Sequence, residues 1–217
     1  MSLIMALETY NGIVMTADRL STICINNDKL GTVDCFPKTL NTHKLFVTKD
    51  GYGIASCGDA KLTNNYLVEQ FINEEICSIN FTNVEPMDVA QYIFEKIKPY
   101  NKNITFLLCG YYDSKSFAID INFKNNEIYS YPDAARNKVL RFGDLSIPNK
   151  ILNSDFHYGY NTYRLQDAID LLVYTNQVTS KYQCFQEVLQ TVSEECDVLV
   201  LFKNGEYKWI NINELHI

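Results

Sequence analysis

The sequence predicts an α+β fold: two stacked, mainly antiparallel sheets with helices against their outer faces. Three observations lead there. The elements run strands, helices, strands, one or two helices, strands. The apolar runs at both ends of the chain are nearly continuous, so those strands need cover on both faces. Short turn sequences join successive strand-like runs, which makes the pairing antiparallel. Pattern alone leaves other α+β sandwiches open.

The first element, LIMALE, starts at Leu3 and is joined to GIVMTA through TYNG, where Asn11-Gly12 signals a hairpin because both residues tolerate positive φ. The second run, NGIVMTADR, ends in Asp18 beside Arg19, where a core strand places no charge for packing alone, so both charges call for a partner. A polar stretch, INNDKLGTVDCFPKT, follows and is broken by Gly31 and Pro37. HKLFVT, KDG and YGIASC then repeat strand, turn and strand.

After CGDA the period changes. Leu62, Tyr66, Leu67, Phe71 and Ile72 recur at helical spacing, with Asp59 placed to serve the first turn. EPMDVAQYIFEKIKPY predicts a second helix, with Pro86 near its start and Val89, Ile93, Ile97 and Tyr100 on one stripe. ITFLLCGYY, KSFAIDINF and NEIYSYP read as three more strands, and a short KVLRF continues them. From about Thr162 the pattern is helical again, with Leu165, Ile169 and Leu172 on one face, either running into or breaking before a segment around QCFQEVLQ. CDVLVLFKNGEYKWINI closes the chain as two strands about a second Asn-Gly turn.

With 217 residues, 47% hydrophobic and 21% charged, and with no repeat, low-complexity tract or linker, residues 1–217 are expected to form one domain. A net charge of -7 and the lack of clustered Lys and Arg argue against a nucleic-acid partner. No segment has the apolar length of a membrane span, and the N-terminus lacks the basic and apolar regions of a signal peptide. The seven cysteines, 24, 35, 57, 77, 109, 184 and 196, form no CxxC pair, so a reducing cytoplasm fits best and no zinc site is indicated. His43, His157 and His216 are scattered, which disfavours a His-based triad or metal cluster and reads as surface or capping use. No cofactor is called for.

IVMTADR, HKLFV, YGIASCGDA and the helix after it resemble the proteasome β-subunit and the related bacterial peptidases, members of the N-terminal nucleophile hydrolases. The similarity is clearest over roughly the first 75 residues and then rests on element order. It implies a four-layer αββα sandwich, a peptide or other amide as substrate, and a homo-oligomer. α-type subunits carry a helix ahead of the first strand, for which the sequence before Leu3 has no room, so the likeness is to β-type chains.

In that family the nucleophile is the first residue after processing. An acid follows in the second strand, and a lysine opens the next hairpin. Carried over along the sequence, these positions fall on Ser2, Asp18 and Lys44. A serine hydroxyl is a weak nucleophile until a base takes its proton, and a free α-amino group, with an ordinary pKa of about 7.7 to 8, is suited to that near neutral pH. Lys44, kept charged by Asp18, would stabilise the developing negative charge. Backbone N–H groups near Cys57 and Gly58, at the turn into the first helix, would form the oxyanion hole, with Ser193 in support. Cys57 itself, without a neighbouring base in the motif, reads as a buried small residue rather than a nucleophile.

Taken singly, each residue also has a plain structural reading, and their shared spacing is what joins them. The sequence departs from the family pattern in four places. Serine replaces threonine, and the interval from Asp18 to Lys44 is long. TVSEECDVLV carries Glu194 and Glu195 where glycines are expected, and RFGDLS offers only Gly143 and Asp144 for the mid-chain glycine-serine pair. These departures support a second reading, a non-catalytic subunit of the same fold with an assembly or binding role.

Overall fold

β1 (Leu3–Thr9) and β2 (Gly12–Asp18) form the predicted first hairpin in the computed structural model, which describes residues 2–27, 32–131, 138–152, 159–186 and 189–211. Its corner is Tyr10-Asn11, one residue earlier than the Asn-Gly signal placed it, and none of these residues takes a positive φ. Gly12 serves packing instead: a Cβ there would lie 2.6 Å from the carbonyl oxygen of Leu201. An I′-like turn is found at Asp113-Ser114, with φ of 48 and 62°.

The polar stretch after Arg19 proves to be a two-stranded ribbon, β3 (Ser21–Asn27) with β4 (Thr32–Thr39), outside both main sheets. β5 (Leu45–Val47) and β6 (Gly53–Gly58) are the second expected hairpin. The helix expected from Leu62 starts later. Lys61–Thr63 (β7) and Tyr66–Leu67 (β8) pair first, and the helical part is Val68–Phe71 (α1), continued by a π-turn over Ile72–Ile76 in which Cys77 N donates to Ile72 O at 2.7 Å. Asp59 therefore serves no helix; its N–H donates to Asn103 O and its Oδ2 accepts Asn103 N, each at 2.9 Å.

α2 (Pro86–Ile97) matches the expected stripe, with Val89, Ile93 and Ile97 buried and Pro86 in its first turn. β9 (Ile104–Tyr112), β10 (Lys115–Asn122), β11 (Glu127–Ser130) and β12 (Leu140–Gly143) follow. A short α3 (Pro148–Leu152) was not anticipated. α4 (Leu165–Phe185) is continuous through the first residues of QCFQEVLQ, so no break separates them. β13 (Cys196–Leu201) and β14 (Tyr207–Asn211) close the fold about Gly205, at φ +82°.

Two five-stranded antiparallel sheets result, ordered β12-β1-β2-β13-β14 and β11-β10-β9-β6-β5. Side chains alternate across each strand, and the core divides accordingly. Ile4, Ala6, Ile13 and Met15 of the first sheet share one cluster with Leu45, Ala55, Leu107 and Ala118 of the second. Leu3, Met5, Leu7 and Val14, on the other face of the first hairpin, pack with Ala168, Ile169 and Leu172 of α4. Ile54, Phe106 and Ile121 pack with Phe71, Ile72, Ile93 and Ile97 of the α1–α2 region. Phe123 fixes α2 to this sheet by stacking on Phe94 at 5.3 Å and meeting Phe106 edge-on at 5.8 Å. Among the described residues no helix is long and apolar enough to cross a membrane.

Candidate active site

β2 ends in the charge that the sequence singled out. Asp18 is fully buried and its two oxygens take four donors: Leu3 N at 2.8 Å and Lys44 Nζ at 2.9 Å on Oδ1, Leu20 N at 2.9 Å and Ser193 N at 3.4 Å on Oδ2. Lys44, 6% exposed, leads into β5 and also donates to Leu20 O at 2.5 Å. A buried charge is tolerable only with such compensation. Because Leu3 N and Lys44 Nζ meet on one oxygen, the start of β1 and the ammonium are held together.

Ser2 is 4% exposed and continues the alternation of β1, which puts it on the face of Ile4, toward the second sheet. Its carbonyl accepts Asp144 N at 2.7 Å. Gly143, at φ +100°, allows this approach, since any Cβ there would strike the same carbonyl. Thus RFGDLS does reach Ser2, through Gly143 and Asp144. Burial pushes the Asp144 carboxyl up, but hydrogen bonds from Ser146, Thr191 and Gln183 outweigh it and hold it below its ordinary value.

A cavity of about 640 Å³ opens over these residues, lined by Ser2, Lys44, Cys57 and Gly58 among others. Gly58 sits at φ +108° and leads into β7, not into a helix, so the turn expected to carry the oxyanion donors is the entry to a small hairpin. Burial pushes the Cys57 thiol up to about 12, against the attraction of Lys44, which leaves it protonated and unreactive at neutral pH.

Ser193 does not line the cavity. Its Oγ accepts Arg19 N at 2.7 Å and donates to Glu195 O at 2.7 Å, so it braces the end of β2 from behind. Arg19 pairs through Nε with Asp197 Oδ1 at 2.8 Å and through Nη1 with Glu195 Oε2 at 3.0 Å. His43, read from sequence as a surface or capping residue, lines the cavity with Nδ1 3.9 Å from Asp197 Oδ2. His157 and His216 lie outside the described residues.

Sequence reasoning missed the support from α4. Asn176 Nδ2 donates to Ser193 O at 2.7 Å. The buried Gln183 donates to Asp144 and Thr191 at 2.8 Å each and accepts Thr191 N and Val192 N. The signal was present: the apolar stripe through Ala168 and Leu172 continues at helical spacing as Asn176, Thr179 and Gln183, all buried. Among the described residues no three His, Cys, Asp or Glu side chains are placed to share a metal ion.

Neither a family model nor a curated protein sequence matches the chain significantly. Solved structures do. A Gly-1 mutant of Anbu from Hyphomicrobium sp. strain MC1 superposes with a TM-score of 0.68 at 15% identity, covering 100% of this chain and 90% of that one. Anbu from Yersinia bercovieri, described as an ancestral β-subunit, gives 0.63 at 14% identity, covering 99% and 89%. The fold is proteasome-like. At such identities the likeness concerns the fold alone, and the chemistry rests on this chain's own residues.

Proposed function

We propose that the chain is an N-terminal nucleophile hydrolase of peptide or other amide bonds, folded over residues 1–217 as one four-layer αββα domain. The layers are supported by the three core clusters, one between the sheets and one beneath the helices of each outer face. The activity is carried by one observation: Asp18 Oδ1 joins Lys44 Nζ to the amide directly after Ser2.

Removal of Met1 frees the α-amine of Ser2. That amine takes the proton of Ser2 Oγ, and Oγ attacks the carbonyl carbon of the bound amide. Lys44 places a positive charge where negative charge develops, and backbone N–H donors near Cys57 and Gly58 would stabilise the oxyanion. The α-ammonium returns its proton to the leaving amine as the C–N bond breaks. Water, activated by the same amine, then hydrolyses the Ser2 ester. Asp144 N, on the Ser2 carbonyl, holds the nucleophile's backbone still.

Intact-mass analysis of protein expressed from its native gene should show the chain beginning at Ser2, and treatment with a peptide epoxyketone or β-lactone should add one adduct there. A chain that keeps Met1, or a trimmed chain inert to both reagents, would move the assignment to the second reading, a non-catalytic subunit. That reading has its own support in Glu195, which stands where the family has glycine and is tied to Arg19. We further read the protein as a cytoplasmic homo-oligomer. The oligomer follows the β-subunit description of a structural neighbour and the exposure of large apolar side chains such as Phe185 at 81%, and the compartment follows the cysteines, which form no CxxC pair. Sedimentation of the native protein as a monomer would count against it.

A further inference from the structure

We propose that the cavity over Ser2 selects peptides with acidic side chains next to the bond to be cleaved; this rests on the hydrolase reading above and adds the class of substrate. The chain carries a net charge of -7 and as a whole repels acidic ligands. The cavity wall inverts that sign: its cationic side chains are Lys38, Lys44, Lys61 and Lys102, its acidic ones Asp59 and Glu69.

The partners sharpen the contrast. Lys44 is paired with Asp18 and, on the hydrolase reading, belongs to the reacting centre rather than to substrate selection. Asp59 is fixed by accepting the amide of Asn103, and burial raises the Glu69 carboxyl, so the two wall acids are outnumbered by the three remaining lysines. Lys38, Lys61 and Lys102 make no ion pair or side-chain hydrogen bond with the described residues. They come from three separate segments, the end of β4, the start of β7 and the approach to β9, and converge on one opening. A neutral peptide would leave all three ammonium groups to water. A peptide carboxylate gains a partner at little extra desolvation, since the lysines at the rim stay wet. The cavity volume, about 640 Å³, is that of ordinary ligand sites and admits a peptide segment rather than a single small ion.

The test is equilibrium binding, by fluorescence anisotropy, of labelled peptides that differ only in Glu against Gln, using the intact protein. The Glu peptide should bind about tenfold tighter at about 50 mM salt, with the gap closing near 0.5 M as screening sets in. Lys38→Ala, Lys61→Ala and Lys102→Ala combined should erase the preference, while the three Lys→Arg changes should keep it. Should the combined Ala variant not fold, Lys61→Ala alone, read across the same salt series, decides. Equal affinity for the two peptides, or a preference that survives loss of the lysines, overturns the proposal. A Glu-bearing epoxyketone separates the two claims. Preferential binding without an adduct on Ser2 sinks the hydrolase reading and spares the charge selection. An adduct formed equally fast by Glu and Gln probes does the reverse.

Discussion

Asp18 and Asp120 are the same side chain in opposite circumstances. Asp18, at the end of β2, is wholly buried and accepts an ammonium and three backbone amides. Asp120, in β10, stands opposite Leu107 and so on the face turned toward the first sheet; it is only partly buried. Yet its Oδ1 has no hydrogen-bond partner among the described residues, and burial, with Glu127 nearby, pushes its carboxyl up to about 6. Depth is therefore not what makes a carboxylate costly to the fold. The supply of donors decides, and the fold supplies them in full at the strand end beneath Ser2 and not on the inner face of β10.

The largest loss is expected at Asp18. Asp18→Ala strands Lys44 without its carboxylate and leaves the amides of Leu3 and Leu20 unpaired, so unfolding free energy should fall by about 3 to 5 kcal/mol, read as a lower denaturant midpoint at constant slope. Ser193→Ala removes the acceptor of Arg19 N and the donor to Glu195 O while keeping Asp18, and should lose about 1 to 2 kcal/mol in the same titration.

Asp120→Asn should change stability in the opposite direction, and least. A carboxyl whose folded pKa lies near 6, above its unfolded value of 3.8, holds its proton in the folded state while the unfolded chain has released it. Stability thus falls as pH rises from about 4 to 6, and the full penalty stands above 6. Asparagine has no such proton to lose. The variant should be more stable than wild type by about 1 kcal/mol at pH 7, after discounting for the solvent that screens a partly exposed group, with the gap closing by about pH 4. A pH-independent difference would show that Asp120 acts through packing alone.

The same contrast explains what was legible in the sequence. β1, β2, β9 and β13 bury both faces, so their apolar runs announced them, and α2 declared itself through Val89, Ile93 and Ile97. The β3–β4 ribbon pairs with neither main sheet, and its polar INNDKL sequence carries no face pattern to read. Leu62 and Tyr66 fit helical spacing because a tight β7–β8 hairpin brings them to the core that Phe71 of α1 also enters. In the site, Asp18 and Arg19 stood out because charge interrupts an apolar strand, and Lys44 followed from the family resemblance. His43 did not, since a lone histidine carries no spacing signal and its partner Asp197 lies near the other end of the chain. Asn176 and Gln183 were hidden by the habit of reading polar helix positions as solvent-facing.

The proposed mechanism requires that Lys44, fixed by Asp18, make Ser2 reactive. The rate of epoxyketone labelling, followed by intact mass on the wild type and on Lys44→Ala, tests it most directly, with circular dichroism confirming that the variant folds and mass confirming that both chains begin at Ser2. Loss of a preorganised charge at the reacting centre should slow labelling by a factor on the order of 100 to 1,000. A folded, correctly trimmed Lys44→Ala protein that labels as fast as wild type would contradict the account.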